Sequence, residues 1–125
     1  MVADPFTCVA FGKEKGVLLQ GKPGSGKSTL ALLLIQDHGA VLVADDYVNL
    51  TSEQGNLMAH TPNQIKGLLE IRHVGVRDFS YLESCRIILV VTLLPEEKCT
   101  RIPNVEYLTI KQHKIPHYTM PSKSS

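Results

Sequence analysis

The sequence predicts an α/β fold with a mixed β-sheet, flanking helices and additional hairpins. Two observations lead to this prediction. A glycine-rich octapeptide, residues 21–28, lies between an apolar run of strand length and a leucine-rich run typical of a helix;. The other strongly apolar runs, such as residues 40–44 and 86–94, also have strand length;. A loop between a strand and a helix, flanked by buried strands, is the framework of an α/β domain.

Length and composition predict one domain over residues 1–125, with residues 112–125 as a flexible tail;. The formal net charge of +1 offers no field that would attract nucleic acid or an acidic membrane surface;. No apolar run approaches the roughly 20 residues that span a bilayer. The chain start lacks a secretory signal, and the three cysteines are too widely spaced for a disulfide or zinc framework;. We therefore expect a cytoplasmic protein without nucleic-acid or membrane partners.

The first half of the chain reads as a hairpin, a helix and a buried strand. Residues 7–11 and 16–20 are β-type runs separated by a polar turn, which predicts the hairpin;. Residues 28–36 are rich in leucine and alanine, and Gly39 is well placed to end the helix;. The apolar run 40–44 then predicts a strand covered on both faces;.

The second half predicts further strands and one more helix. Residues 47–50 and 57–60 flank a polar turn and predict a second hairpin;. A cap residue followed by proline and glutamine predicts a helix over residues 61–69;. Residues 86–94 are rich in β-branched residues and predict a buried strand, followed by a helical turn and another strand at 105–110;.

The octapeptide satisfies the pattern G-x-x-x-x-G-K-S/T in the strand–loop–helix context that a P-loop requires;. Glycines let backbone N–H groups turn toward phosphate oxygens, and the helix start adds unpaired amides. Lys27 is expected to reach the β- and γ-phosphates of ATP, and Ser28 to offer its hydroxyl to Mg²⁺;. The predicted nucleotide-binding residues are Gly21, Lys22, Pro23, Gly24, Ser25, Gly26, Lys27, Ser28 and Thr29.

An acidic pair, Asp45-Asp46, directly ends the apolar run 40–44. A P-loop site needs a carboxylate at the end of a neighbouring strand to hold the metal. Because consecutive residues leave a strand on opposite sides, the two acids are not expected to share one role. One is expected to face the metal and phosphates and the other the nucleophile.

Three blocks together resemble the catalytic domain of the HPr(Ser) kinase/phosphorylase family. They are the segment G-V-L-L-Q-G-K-P-G-S-G-K-S at residues 16–28, V-A-D-D at 43–46, and L-L-E-I-R-H-V-G-V at 68–76. The resemblance covers roughly residues 7–80. It implies a variant of the P-loop fold like that of phosphoenolpyruvate carboxykinase, in the family's short form without an N-terminal domain.

The resemblance also implies roles for single residues. It makes Lys27 a phosphate contact, Ser28 and Glu70 ligands of Mg²⁺, and Asp46 the base that accepts the substrate hydroxyl's proton. Asp45 would support the metal or the base, and Arg101 would neutralise charge on the transferred phosphoryl group;. The implied activity is ATP-dependent phosphorylation of a serine on an HPr-like phosphocarrier protein, which regulates sugar and phosphotransferase signalling.

The chain departs from the family pattern before the first strand, where Pro5-Phe6 replaces the family's usual histidine. This departure favours a second function, a nucleotide-sensing regulatory module without turnover. A small-metabolite P-loop kinase is a further alternative, but it predicts an arginine-rich lid segment that this sequence lacks, which favours a protein substrate. Phosphorolysis and self-association into a homo-oligomer also stay open at this point.

Overall fold

The computed structural model describes residues 4–99 and 105–122. Within these ranges the single α-helix is α1 (Lys27–His38), and short 3₁₀ turns lie at Asn63–Ile65 and Glu96–Lys98. The strands are β1 (Thr7–Ala10), β2 (Gly16–Gln20), β3 (Val41–Ala44), β4 (Asn49–Glu53), β5 (Asn56–His60), β6 (Leu68–Ile71), β7 (Gly75–Asp78), β8 (Ser84–Leu94), β9 (Glu106–Ile110) and β10 (His113–Pro121).

The described strands form an eight-stranded mixed sheet and a separate two-stranded hairpin of β6 and β7. The main sheet has the order β3-β1-β2-β8-β10-β9, and β5 joins β4 to the first residues of β8. Strand β8 runs parallel to both β2 and β10, whereas the other pairs in the sheet are antiparallel. The carboxyl ends of β2, β8 and β10 therefore meet at one edge of the sheet.

Both predicted hairpins are confirmed. Strands β1 and β2 pair antiparallel across residues 11–15, with Thr7 opposite Leu19. Strands β4 and β5 pair around a tighter turn than predicted, in which Gln54 and Gly55 have φ values of 52° and 80°. Positive φ at both central positions is the geometry of a two-residue hairpin turn that matches the twist of its strands.

Helix α1 packs on one face of the sheet and begins at Lys27, within the glycine-rich octapeptide. Its N-cap is Gly26, and it ends as predicted at Gly39, which has a φ of 76°. Ala31 is fully buried, and the neighbouring leucines are packed against the core of this face. No helix in the described ranges is long and apolar enough to cross a membrane.

Hydrophobic cores lie on both faces of the sheet. The core under α1 includes Val9, Leu19 and Leu42, and the core on the other face includes Leu18, Val43 and Leu57. Alternate residues of β2 and β3 thus point to opposite cores, as expected for strands covered on both sides.

The predicted helix over residues 61–69 is wrong. The chain makes only a 3₁₀ turn at Asn63–Ile65 and then enters β6. Gly67 has a φ of 73°, and a Cβ there would stand 2.8 Å from the Phe79 carbonyl oxygen. This positive φ ends the helical path, and Leu69 is buried in the core from a strand instead;.

The predicted flexible tail at residues 112–125 is also wrong where the structure describes it. Residues 113–121 form β10, which lies inside the sheet between β8 and β9. Pro116 lacks the N–H group that a strand residue uses for pairing. However, the ladder to β8 begins at His117, so Pro116 removes no bond to that strand. Residues 123–125 lie outside the described ranges.

Candidate active site at the glycine-rich loop

The glycine-rich loop connects β2 to α1, and no side chain among the described residues caps the helix at its N-terminus. Gly26 caps the helix with a φ of 104° and no side-chain hydrogen bond, so the first-turn amides have no side-chain cap;. The buried Ser25 hydroxyl also lacks a hydrogen-bond partner within the described residues. A Cβ at Gly21 would stand 2.4 Å from that hydroxyl oxygen, so any other residue there would force the Ser25 side chain to move. Unpaired donors at a helix N-terminus suit an anion.

Asp45 directly follows β3, where its side chain is buried and both carboxylate oxygens accept hydrogen bonds. One carboxylate oxygen accepts hydrogen bonds from the hydroxyls of Ser28 at 2.7 Å and Thr7 at 3.0 Å. The other oxygen accepts the backbone N–H of Glu70 at 3.1 Å. A single carboxylate therefore joins β1, α1 and β6, and it holds Ser28 in place at the end of the loop.

Asp46 is placed differently from Asp45, and separate roles for the two acids stay a prediction. Its backbone has a φ of 66°, and its N–H donates to the Thr7 hydroxyl at 3.1 Å. This left-handed conformation turns its half-exposed side chain toward Lys27, whose Nζ lies 3.8 Å from Oδ1;.

The surroundings of Asp46 raise the pKa of its carboxyl group. Partial burial is the largest cause, and the negative charges of Asp45 and Glu70 add to it, whereas Lys27 acts in the opposite direction;. A carboxylate with a raised pKa holds a proton more readily, which suits a general base.

A cleft of about 1180 Å³ opens beside the loop. Residues 20–29 and residues 92–95 line it, and so do Asp46, Glu70 and Arg72. Asp45 does not line the cleft, because it lies behind Ser28. The structure thus brings together the predicted residues of the loop, the acidic pair and Glu70. Arg101 lies outside the described residues.

Sequence reasoning missed Thr7 and the part of the cleft that β8 lines. Thr7 binds Asp45 with its hydroxyl and accepts the Asp46 N–H, although it lies 38 positions from Asp45 in the chain. A threonine within a β-type run carries no signal of such a contact. Thr92 also lines the cleft, but a threonine in the apolar run of β8 carries no signal of that position either.

The oxygen atoms at this site fit a magnesium ion. Ser28 uses its hydroxyl proton toward Asp45, which leaves the lone pairs of Oγ available to a cation;. Glu70 is exposed on β6 and lines the same cleft. Hydroxyl and carboxylate oxygens, completed by phosphate oxygens and water, are the ligands that Mg²⁺ prefers.

The fold and the site define a P-loop-type α/β domain with carboxylates facing the loop across a cleft. The family model described as the HPr serine kinase C-terminal domain matches residues 11–125. The chain belongs to this family.

Individual relatives agree with the family match. The chain is 30% identical over 118 residues to the HPr kinase/phosphorylase of Malacoplasma penetrans, covering 85% of this chain and 39% of that protein. It is 34% identical over 119 residues to the enzyme of the same name from Caldicellulosiruptor bescii, covering 86% of this chain and 38% of that protein. The chain thus spans about two fifths of the length of these relatives.

A solved structure, the HPr(Ser) kinase/phosphatase of Coxiella burnetii, superposes on the chain with a TM-score of 0.84 at 27% identity. The match covers 98% of this chain and 81% of that one. The predicted fold class, a mixed α/β domain of this family's kind, is confirmed.

Proposed function

We propose that this domain transfers the γ-phosphoryl group of ATP to a serine of an HPr-like phosphocarrier protein, and so regulates sugar and phosphotransferase signalling. One observation carries the proposal beyond family membership. Lys27 and Ser28, at the N-terminus of α1, face the carboxylates of Asp46 and Glu70 within one cleft. Cations and amides for a triphosphate thus stand opposite acids suited to a base and a metal.

The loop is proposed to bind the triphosphate through its backbone amides and Lys27. The amides of residues 24–28 and the Ser25 hydroxyl lie around the helix N-terminus, where negative charge is stabilised;. Lys22 and Thr29 also line the cleft and belong to the proposed binding set, as do Gly21, Pro23 and Gly26.

Asp46 is proposed as the general base. The acceptor serine attacks the γ-phosphorus, its hydroxyl proton passes to the Asp46 carboxylate, and the bond from the γ-phosphorus to the bridging oxygen breaks to release ADP. Lys27, whose Nζ lies 3.8 Å from Asp46 Oδ1, is proposed to contact the phosphoryl group and to hold the base in place.

Ser28 and Glu70 are proposed to hold Mg²⁺, with Asp45 orienting the Ser28 hydroxyl from behind. The ion, when bound, neutralises charge on the β- and γ-phosphates. Arg101 keeps the role that the family resemblance implies, neutralisation of the transferred group.

A nucleotide-sensing module without turnover is the second candidate, because Pro5 lines the cleft where the family usually carries a histidine. The raised pKa of Asp46 favours turnover, because burial and the neighbouring carboxylates raise it. A base can therefore be poised here without an imidazole.

The test is incubation with γ-labelled ATP, Mg²⁺ and an HPr-like protein from the same cell, followed by identification of the labelled residue. We expect labelled serine on the phosphocarrier, and no label with Lys27→Ala. Binding of ATP without transfer to protein would support the sensing module. Transfer to a sugar or nucleotide instead would support a small-metabolite kinase.

A further inference from the structure

Three polar side chains form a hydrogen-bonded line at the carboxyl edge of the parallel strands. The Thr92 hydroxyl on β8 donates to Gln20 Oε1 at 3.0 Å, at the end of β2. The same hydroxyl lies 2.6 Å from Nε2 of His117 on β10. Gln20 and Thr92 are also direct partners in the strand register.

This line interrupts two otherwise apolar strands. Gln20 is the one polar side chain of β2, and Thr92 is the one polar side chain in residues 87–94 of β8. Polar groups at partly buried positions of apolar strands cost free energy unless they are hydrogen-bonded. Both residues line the cleft, and Gln20 directly precedes Gly21 of the loop. Gln20 and Thr92 are therefore placed where they can contact a ligand in the cleft.

With Gln20 Oε1 facing Thr92, the hydrogen count gives the direction of the line;. A threonine hydroxyl has one proton, and here Gln20 accepts it;. The short contact to His117 therefore requires an Nε2–H group that donates to the Thr92 oxygen. The Gln20 carbonyl oxygen is thereby turned toward β8, which leaves its NH₂ group, without an acceptor among the described residues, available to the cleft.

We propose that His117 and Thr92 are positioning residues that orient Gln20, and that the Gln20 NH₂ group donates a hydrogen bond to a phosphate oxygen of the nucleotide. The inference deepens the proposed function and rests on nucleotide binding at the loop. It adds a donor from the last residue of β2 to the amides of the helix N-terminus. Strand β10 then takes part in the site through His117.

The experiment is a double-mutant cycle on ATP affinity, measured by calorimetry with Mg²⁺ on the full chain. Gln20→Ala and Thr92→Val each remove one end of the bond that orients the amide. Since hydrogen bonds to charged groups are the stronger ones, each change should weaken ATP binding roughly tenfold. The double variant should bind no more weakly than Gln20→Ala alone, because both changes act through one amide. Thr92→Ser, which keeps the hydroxyl, should restore most of the affinity.

A spectroscopic measurement separates this role from a merely structural one. The Gln20 side-chain NH₂ signals in an amide NMR spectrum should shift when ATP is added to the unmodified chain. In Thr92→Val this shift should shrink. Thr109→Val, on the exposed side of β9, is the matched threonine control and should leave affinity and signals unchanged.

The possible outcomes separate failure of the Gln20 role from failure of the proposed phosphotransferase function. Failure of the unmodified chain to bind ATP would overturn the proposed function, and this inference with it. ATP binding that is lost in Lys27→Ala but unchanged in Gln20→Ala would overturn the positioning role alone. Additive losses in the double variant would also overturn it. Should Thr92→Val fail to fold, unchanged affinity in Gln20→Ala remains decisive.

Discussion

Two acidic clusters of this molecule differ in what they connect. At the cleft, Asp45 binds groups from β1, α1 and β6, at sequence separations of 38, 17 and 25 residues. On the outer hairpin, Glu53 contacts Thr51 and lies 2.7 Å from His60 Nε2, all within β4 and β5. The first cluster is buried and connects segments that are distant in the chain. The second lies on the exposed surface of a single hairpin.

The pKa shifts in the two clusters have opposite signs. The pKa of Asp46 is raised, first by burial and then by Asp45. The pKa of Glu53 is lowered, first by its hydrogen bond from Thr51 and then by that from His60. Burial among like charges thus raises a carboxyl pKa and favours proton transfer. Exposed hydrogen-bond donors lower the pKa and keep the carboxylate ionised. Connectivity and burial, rather than the number of acids, identify the functional cluster.

The largest effect is expected from Asp45→Ala. The change leaves the Thr7 and Ser28 hydroxyls and the Glu70 N–H without their acceptor, and it should lower the free energy of unfolding by about 3 kcal/mol. Chemical denaturation measures this loss, and phosphotransfer should disappear with it. Glu53→Ala is the matched control on the exposed hairpin. Equal denaturation midpoints for the two variants would contradict the contrast between the clusters.

Asp46→Asn should preserve ATP binding and reduce kcat by roughly 10² to 10⁴, the usual contribution of a general base. In the unmodified chain, kcat should fall as the pH drops through the raised pKa of Asp46 and protonates the base. Steady-state rates between pH 4 and 8 check both statements. A kcat that stays within twofold of the unmodified chain would remove Asp46 from the proposed role.

The same variant should have a smaller effect on stability. Because the folded-state pKa of Asp46 lies above its unfolded value, its favourable contribution is present at low pH and is lost as the pH rises through the folded pKa;. Asp46→Asn should therefore melt at a slightly higher temperature than the unmodified chain at pH 7. The difference should vanish below the unfolded pKa of about 4. A lower melting temperature at pH 7 would mean that the ion pair with Lys27 outweighs burial.

Glu53→Gln should have the smallest effect. The lowered pKa of Glu53 implies stability that is present above its unfolded pKa and lost as the pH falls through the folded value;. Full exposure and salt screening keep that contribution small. Thermal melting should detect little change at low salt and none at high salt, with kcat unaltered. A loss of phosphotransfer in this variant would show that the outer hairpin belongs to the site.

The part of the site that follows local rules was predictable from sequence. The loop at residues 21–28 requires glycine and lysine at fixed spacing, and Asp45-Asp46 ends an apolar strand;. Both hairpins, the helix and its end at Gly39 follow from turn and capping preferences, and the structure confirms them;.

What depends on tertiary pairing was not predictable. The segment 61–69 has a good helix start, but Gly67 adopts a positive φ and β6 pairs with β7 instead. Strand β10 contains prolines and ends the described chain, and its place follows only from pairing with β8 and β9. Thr7, Thr92 and His117 reach the site or its wall through such pairings, so no spacing pattern marks them.

The insertion of β10 between β8 and β9 has a consequence for handling this protein. Strand β9 precedes β10 in the chain, but among the described strands it pairs with β10 alone. A chain shortened after residue 112 would leave the β8 backbone groups that now pair with residues 117–121 open on that side. Bare strand edges recruit other chains, so such a fragment should aggregate rather than persist as a smaller domain.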